Sequence, residues 1–145
     1  MPDDNCLFCR IVSGELPATV IYEDDISFAF LDHRPLFPGH TLLVPREHVE
    51  TLGELPVRLV EPYFKAAQLL ARAVEFGLDA EGTFVAMNNR VSQSVPHLHV
   101  HVVPRRRKDG LKGFFWPRTK YKTAEEMEVV QQKIAAALKE NNSRK

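Results

Sequence analysis

Seven residues in the second half of this 145-residue chain, His97-Leu98-His99-Val100-His101-Val102-Val103, restrict its fold more than any other stretch. Polar and apolar side chains alternate with the period of a β-strand. Pro96 and Pro104 fence the run, since neither can donate to a sheet ladder. A strand over 97–103 sends Leu98, Val100 and Val102 into a core and stands three imidazoles on the other face, about 6.6 Å apart in succession. Such a row has three uses: a histidine-rich strand face with no further task, a metal site in which neighbouring imidazoles share one ion, or a nucleophilic site. A neutral imidazole attacks phosphorus and leaves again, which divides phosphoryl or nucleotidyl transfer into two easier steps. The polar loop before the run, Asn88 to Val95, favours the nucleophilic use. There Asn88, Gln93 and Ser94 can bring amide and hydroxyl donors round a phosphate at His99.

The rest of the chain reads as one α+β domain. Gly14, Pro17, Pro35, Pro38-Gly39, Pro45 and Pro56 bracket short β-rich runs at Val20–Tyr22, Ile26–Leu31 and Thr41–Val44. Phe64, Ala67, Leu70 and Val74 recur at helical spacing and predict a long helix over 62–76, with Gly77 as its left-handed stop. A strand is expected at Thr83–Met87. Thr123 and Glu126 form a capping box before a stripe of Met127, Val130, Ile134 and Leu138, so the chain is expected to close on a helix. Runs of strands joined by hairpin-length connections argue for an antiparallel sheet.

Nineteen basic and nineteen acidic residues cancel, so no long-range field draws the chain to nucleic acid or to a membrane surface. The acidic, polar start MPDDNCLFCR is unlike a signal peptide, and no apolar run spans a bilayer, so a cytoplasmic protein is expected. The cysteines, Cys6 and Cys9, are too close together to staple a fold. Their Cys-x-x-Cys spacing lacks the βαβ setting of a redox motif and reads instead as half of a zinc site, to be completed by histidines.

Gln93-Ser94-Val95-Pro96-His97-Leu98-His99-Val100-His101-Val102 resembles the signature of the histidine-triad (HIT) nucleotide hydrolases and transferases. The likeness extends through Phe8-Cys9-Arg10-Ile11-Val12, Glu15-Leu16-Pro17-Ala18, Tyr22-Glu23-Asp24-Asp25, Phe30-Leu31-Asp32, and Pro38-Gly39-His40 to Pro45-Arg46-Glu47-His48, in family order over about residues 6–104. It implies a HIT-like fold: an antiparallel sheet with one long helix packed on it, then a C-terminal extension over 105–145 within a single 1–145 domain. It further implies His99 as nucleophile, His101 at the phosphate, His40 orienting the triad, and Asn88, Gln93 and Ser94 at the phosphate oxygens or leaving group. Asp32 would accept from the ribose hydroxyls, with Phe8, Ile11 and Phe30 around a purine. Zinc-binding relatives imply a structural zinc on Cys6, Cys9, His48 and His97, and family habit implies a homodimer. Ser92 stands where relatives commonly have glycine before the phosphate-loop glutamine.

The expected activity is hydrolysis of purine nucleotide conjugates, either nucleoside phosphoramidates or dinucleoside polyphosphates, through a nucleotidyl-histidine. Two rivals are a nucleotide-binding or interaction protein with vestigial catalysis, and a metal-dependent hydrolase with the imidazole row as its zinc site. Arg105-Arg106-Arg107-Lys108 reads first as a solvated turn and second as a lure for distal phosphates. Phe114-Phe115-Trp116-Pro117 reads as a plug over the core, or as a segment that lets Trp116 shape the leaving-group pocket.

Overall fold

A computed structural model describes residues 3–111 and 118–143, the last three by backbone alone. The 114–117 segment, Trp116 included, lies outside the described residues. The chain divides into two compact units, Met1–Asp109 and Gly110–Lys145. In the first, five antiparallel strands form one sheet in the order β1-β2-β3-β5-β4, with β1 at Val20–Glu23, β2 at Ser27–Leu31, β3 at Thr41–Pro45, β4 at Gly82–Ala86 and β5 at Val100–Arg105. Two α-helices accompany them, α1 at Leu7–Val12 and α2 at Val57–Gly77. The second unit holds α3, Ala124–Ser143. Half of its capping box is formed, Glu126 N–H donating to Thr123 Oγ1 at 3.0 Å, while the Glu126 carboxylate accepts from Lys122 N–H, one residue before the cap, at 2.6 Å. No helix among the described residues is long and apolar enough to cross a membrane.

Strand alternation divides the interior into two layers. Ala29, Leu43, Val100 and Val102 face α2 and meet its buried Leu59, Tyr63, Ala66, Ala67, Leu70 and Val74. Phe28, Phe30, Leu42 and Val44 face the other way and pack with Cys6, Phe8 and Cys9 of the α1 region. The site lies on this second face.

Three sequence expectations need correction. The strand expected at 97–103 begins only at Val100, because Leu98 N–H bonds to the carbonyl of Val49, in the segment after β3, and not to a neighbouring strand. The alternation survives in the extended lead-in, and Leu98, Val100 and Val102 are all fully buried. The helix expected at 62–76 starts at Val57, with Pro62 inside it. Burial of Leu59 and of Tyr63, whose hydroxyl donates to the Leu43 carbonyl at 2.7 Å, outweighs the one backbone bond the proline removes. Phe64, one of the residues at helical spacing, is 40% exposed beside the buried Tyr63. Gly77 is not the left-handed stop; that conformation falls on Asp79 at φ 51°.

Candidate active site and metal centre

The sequence contains no obvious helix at 7–12, yet α1 forms because Cys6 caps it, its Sγ accepting from Cys9 N–H, and because Phe8 and Cys9 find a buried face. Cys6 and Cys9 thereby meet His48, just after β3, and His97, just before β5. The separations are 3.4 Å from Cys6 Sγ to His97 Nδ1, 3.3 Å from Cys9 Sγ to His48 Nδ1, 3.5 Å from Cys9 Sγ to His97 Nδ1, and 3.2 Å between the two Nδ1 atoms. Zinc bonds of about 2.0–2.1 Å to nitrogen and about 2.3 Å to sulfur put tetrahedral edges at about 3.3 Å for N to N and about 3.6 Å for S to N. The spacing therefore fits one zinc-sized ion, and the donor set is of the soft kind zinc takes. His97 Nε2–H donates to the Pro45 carbonyl at 2.8 Å, which leaves the Nδ1 lone pair facing the cluster, as a ligand requires. Burial holds His97 down to about 4 and pushes the Cys9 thiol up.

Next to this cluster opens a cleft of about 330 Å³, walled by Leu7, Phe8, Ile11, Leu16, Pro17, Phe30 and Leu42 on its apolar side. Asp32, His33, Ser94, His99 and His101 supply its polar groups. A wider outer lobe of about 510 Å³ shares Ile11, Pro17, Phe30, Asp32 and His33 with it. Phe8 stands edge-on to both Phe30 and His99, with ring centres 5.4 and 5.1 Å apart.

The histidine tautomers follow from the backbone. His99 Nδ1–H donates to the His97 carbonyl at 2.7 Å, so its Nε2 keeps the lone pair. Leu36 N–H donates to His40 Nδ1 at 3.0 Å, which puts the His40 proton on Nε2; that proton goes to His101 Nδ1 at 2.9 Å, and the His101 proton must then be on Nε2. Burial, with the charges of His99 and His40 adding, pushes His101 down to about 4, and burial also lowers His40. Both are neutral near pH 7, one a relay and one a donor. Asp32 Oδ2 lies 3.8 Å from His40 Nε2, while Oδ1 accepts from Arg34 N–H at 2.9 Å. Asp32, His40 and His101 lie close enough together for a metal, but the relay already occupies the lone pairs an ion would need.

Of the residues singled out from sequence, Phe8, Ile11, Phe30, Asp32, Ser94, His99 and His101 meet at the cleft, and His40 stands behind His101. Asn88 and Gln93 do not line it. Asn88 Nδ2 donates to the Ser92 carbonyl, while Gln93 donates to the Glu50 carbonyl at 2.6 Å and accepts from Arg90 N–H at 2.8 Å. The loop turns through left-handed residues at Arg90, φ 71°, and Ser92, φ 61°, the latter being the position noted above as a departure from glycine. The basic run is committed elsewhere: Arg105 to Asp109, Arg106 to the Leu78 carbonyl, and Arg107 to Glu81. Sequence reasoning missed Leu7, Leu16, Pro17, His33, Leu42 and Val95 on the wall. Of these His33 had a signal, its place beside Asp32.

The HIT domain matches residues 13–108. The crystal structure of a HIT-family member from Bacillus subtilis aligns with TM-score 0.83 at 35% identity, covering 92% of this chain and 96% of that one. A zinc-bound histidine triad family protein from Mycobacterium smegmatis aligns with TM-score 0.70 at 38% identity, covering 97% and 98% of the two chains. The adenosine 5′-monophosphoramidase of Saccharomyces cerevisiae is 34% identical over 110 residues, 75% of this chain and 68% of its own. A domain match over more than half of the sequence, with the same fold in proteins above 30% identity, establishes that this chain belongs to the HIT family.

Proposed function

We propose that the protein is a nucleotide hydrolase that acts on purine nucleotide conjugates, nucleoside phosphoramidates or dinucleoside polyphosphates, through a nucleotidyl-histidine intermediate. The observation that carries this reading is the 2.7 Å bond from His99 Nδ1–H to the His97 carbonyl on the wall of a cleft. It makes Nε2 the basic, unprotonated nitrogen of a ring held in place, which is what a nucleophile toward phosphorus needs. His99 Nε2 attacks the α-phosphorus, the bond from phosphorus to the leaving group breaks, and the leaving group departs with the proton of His101 Nε2–H. Water then attacks the phosphorus and gives a proton back to His101 Nε2, the bond to His99 Nε2 breaks, and the mononucleotide is released with both rings restored.

His101 Nε2–H, oriented through His40, donates to the phosphate while negative charge builds on its oxygens. Ser94 adds a hydroxyl. Asn88 and Gln93 join in this reading once substrate displaces their present bonds to Ser92, Glu50 and Arg90. Asp32 receives the ribose hydroxyls, and Phe8, Ile11 and Phe30 enclose the base, an apolar slot beside a carboxylate being matched to a nucleoside. The name of the yeast relative favours the phosphoramidate class. Cys6, Cys9, His48 and His97 would hold a structural zinc, which ties three chain segments together and takes no part in the reaction.

The free thiols suit a reducing cytoplasm, and β4 at the end of the sheet order offers an edge to a second copy in a homodimer. The test is His99→Ala against adenosine phosphoramidate and a diadenosine polyphosphate. Turnover of both should fall by several orders of magnitude while AMP still binds. Residual turnover within tenfold of wild type would end the proposal.

A further inference from the structure

One short helix belongs to both sites. Cys6 and Cys9, at the N-cap and in the first turn of α1, belong to the sulfur–imidazole cluster, while Leu7, Phe8 and Ile11 of the same element line the cleft. Six residues do not make a self-supporting helix, since isolated helices shorter than about 12 residues are marginal in water. Among the described residues the other polar ties of α1 are local: Cys6 N–H to the Asp3 carbonyl, Leu16 N–H to the Arg10 carbonyl, and the exposed Arg10–Glu15 ion pair. Its polar connections to distant chain run through the two thiols to His48 and His97.

The phosphate end is held differently. His101 is fixed through His40 by Leu36 N–H, on the β2–β3 connection, and His99 is held by a main-chain carbonyl. His97 itself keeps a second anchor, the Pro45 carbonyl, that needs no metal. Loss of a cation from the cluster would thus loosen the base wall while leaving the phosphate groups in place.

Resting on the nucleotide reading above, we propose that Cys6 and Cys9 are positioning residues for the base: a zinc ion held by them with His48 and His97 fixes α1, and so sets the affinity for the nucleoside half of the ligand through Phe8 and Ile11. The cluster is in this sense a specificity device as well as a staple. Base recognition depends on the metal; phosphate recognition does not.

Calorimetric titration of zinc-loaded and chelator-treated protein with AMP and with ribose 5-phosphate separates the two halves. Metal removal should weaken AMP at least tenfold and ribose 5-phosphate less than twofold, with a circular dichroism spectrum that shows the sheet retained. Amide exchange should speed up in α1 and stay unchanged in β3 and β5. In turnover KM should rise while kcat holds. Equal losses for the two ligands, unchanged AMP affinity, or a fall in kcat alone would overturn the proposal. A loaded protein that binds ribose 5-phosphate as tightly as AMP would instead overturn the nucleotide reading itself. Because Cys6→Ser or Cys9→Ser could disturb α1 directly, metal-free His48→Ala serves as the second variant, its change lying outside that helix. It should show the same selective loss of AMP, and wild-type AMP affinity in it would contradict the coupling.

Discussion

His99 and His101 are two residues apart and chemically opposite, because His99 gives its Nδ1 proton to a carbonyl while His101 receives one there from His40. One ring keeps a lone pair on Nε2 and its neighbour a proton. In the proposed reaction His40→Ala removes the relay and frees His101 to hold its proton on either nitrogen. The expected result is a fall in kcat of about 10²-fold, in line with loss of one oriented donor, and little change in AMP affinity. A pH dependence belongs to the same residues. His101 is pushed down to about 4 by burial and its imidazole neighbours, and His40 is lowered by burial, whereas both take protons near 6.5 in the unfolded chain. The unfolded state then binds more protons below that pH, so their contribution to stability is whole above about 6.5 and declines as the pH falls, that of His101 being lost below about 4. Urea titrations at pH 7 and pH 5 should show a smaller loss in His101→Asn than in wild type. Equal losses would show that His101 is not a source of the dependence.

Among elements, the loop between β4 and β5 departs furthest from its sequence reading. Asn88, Gln93 and Ser94 were read as one donor set, but Gln93 bridges Glu50 and Arg90, and Ser94 reaches the cleft without it. A run of polar residues does not disclose which of them the backbone will turn inward. The resemblance marked Ser92 as a departure from the family's usual glycine, and in the structure that residue sits at φ 61°. A non-glycine left-handed residue costs about 1–2 kcal/mol and glycine's extra chain entropy about 0.5–1 kcal/mol, so Ser92→Gly should stabilise the protein by about 0.5–1 kcal/mol in denaturant melts. A destabilised variant would mean that the serine side chain makes up the difference. Helix α1 was invisible for another reason. Its cause is the cap at Cys6 and burial against β2 and β3, whereas a six-residue segment carries too few turns to show a period. The β5 face was legible because Leu98, Val100 and Val102 alternate strictly with the imidazoles, and burial enforces that register even where strand pairing has not begun.

At the scale of the molecule, the sheet divides the labour: α2 closes one face around Tyr63 and Leu70, and the other face carries both the thiol–imidazole cluster and the cleft. The α+β architecture was readable from strand spacing, and the conjunction of the four cluster residues only from family likeness, since Cys6 and His97 are 91 positions apart. A zinc ion present at a hundredfold its Kd contributes about 2.7 kcal/mol, so chelation should lower the melting temperature by about 10 °C. Metal analysis of protein prepared without chelator should find one zinc per chain, and its absence there would remove the metal centre from this account. The central claim concerns a bond between His99 and phosphorus. Brief mixing with adenosine phosphoramidate, acid quench, proteolysis and mass spectrometry of the peptide bearing residues 97–101 should reveal an added adenylyl group on His99 in wild type and none in His99→Ala. Full turnover by wild type with that peptide unmodified at every quench time, or with the adenylyl group on another residue, would contradict it.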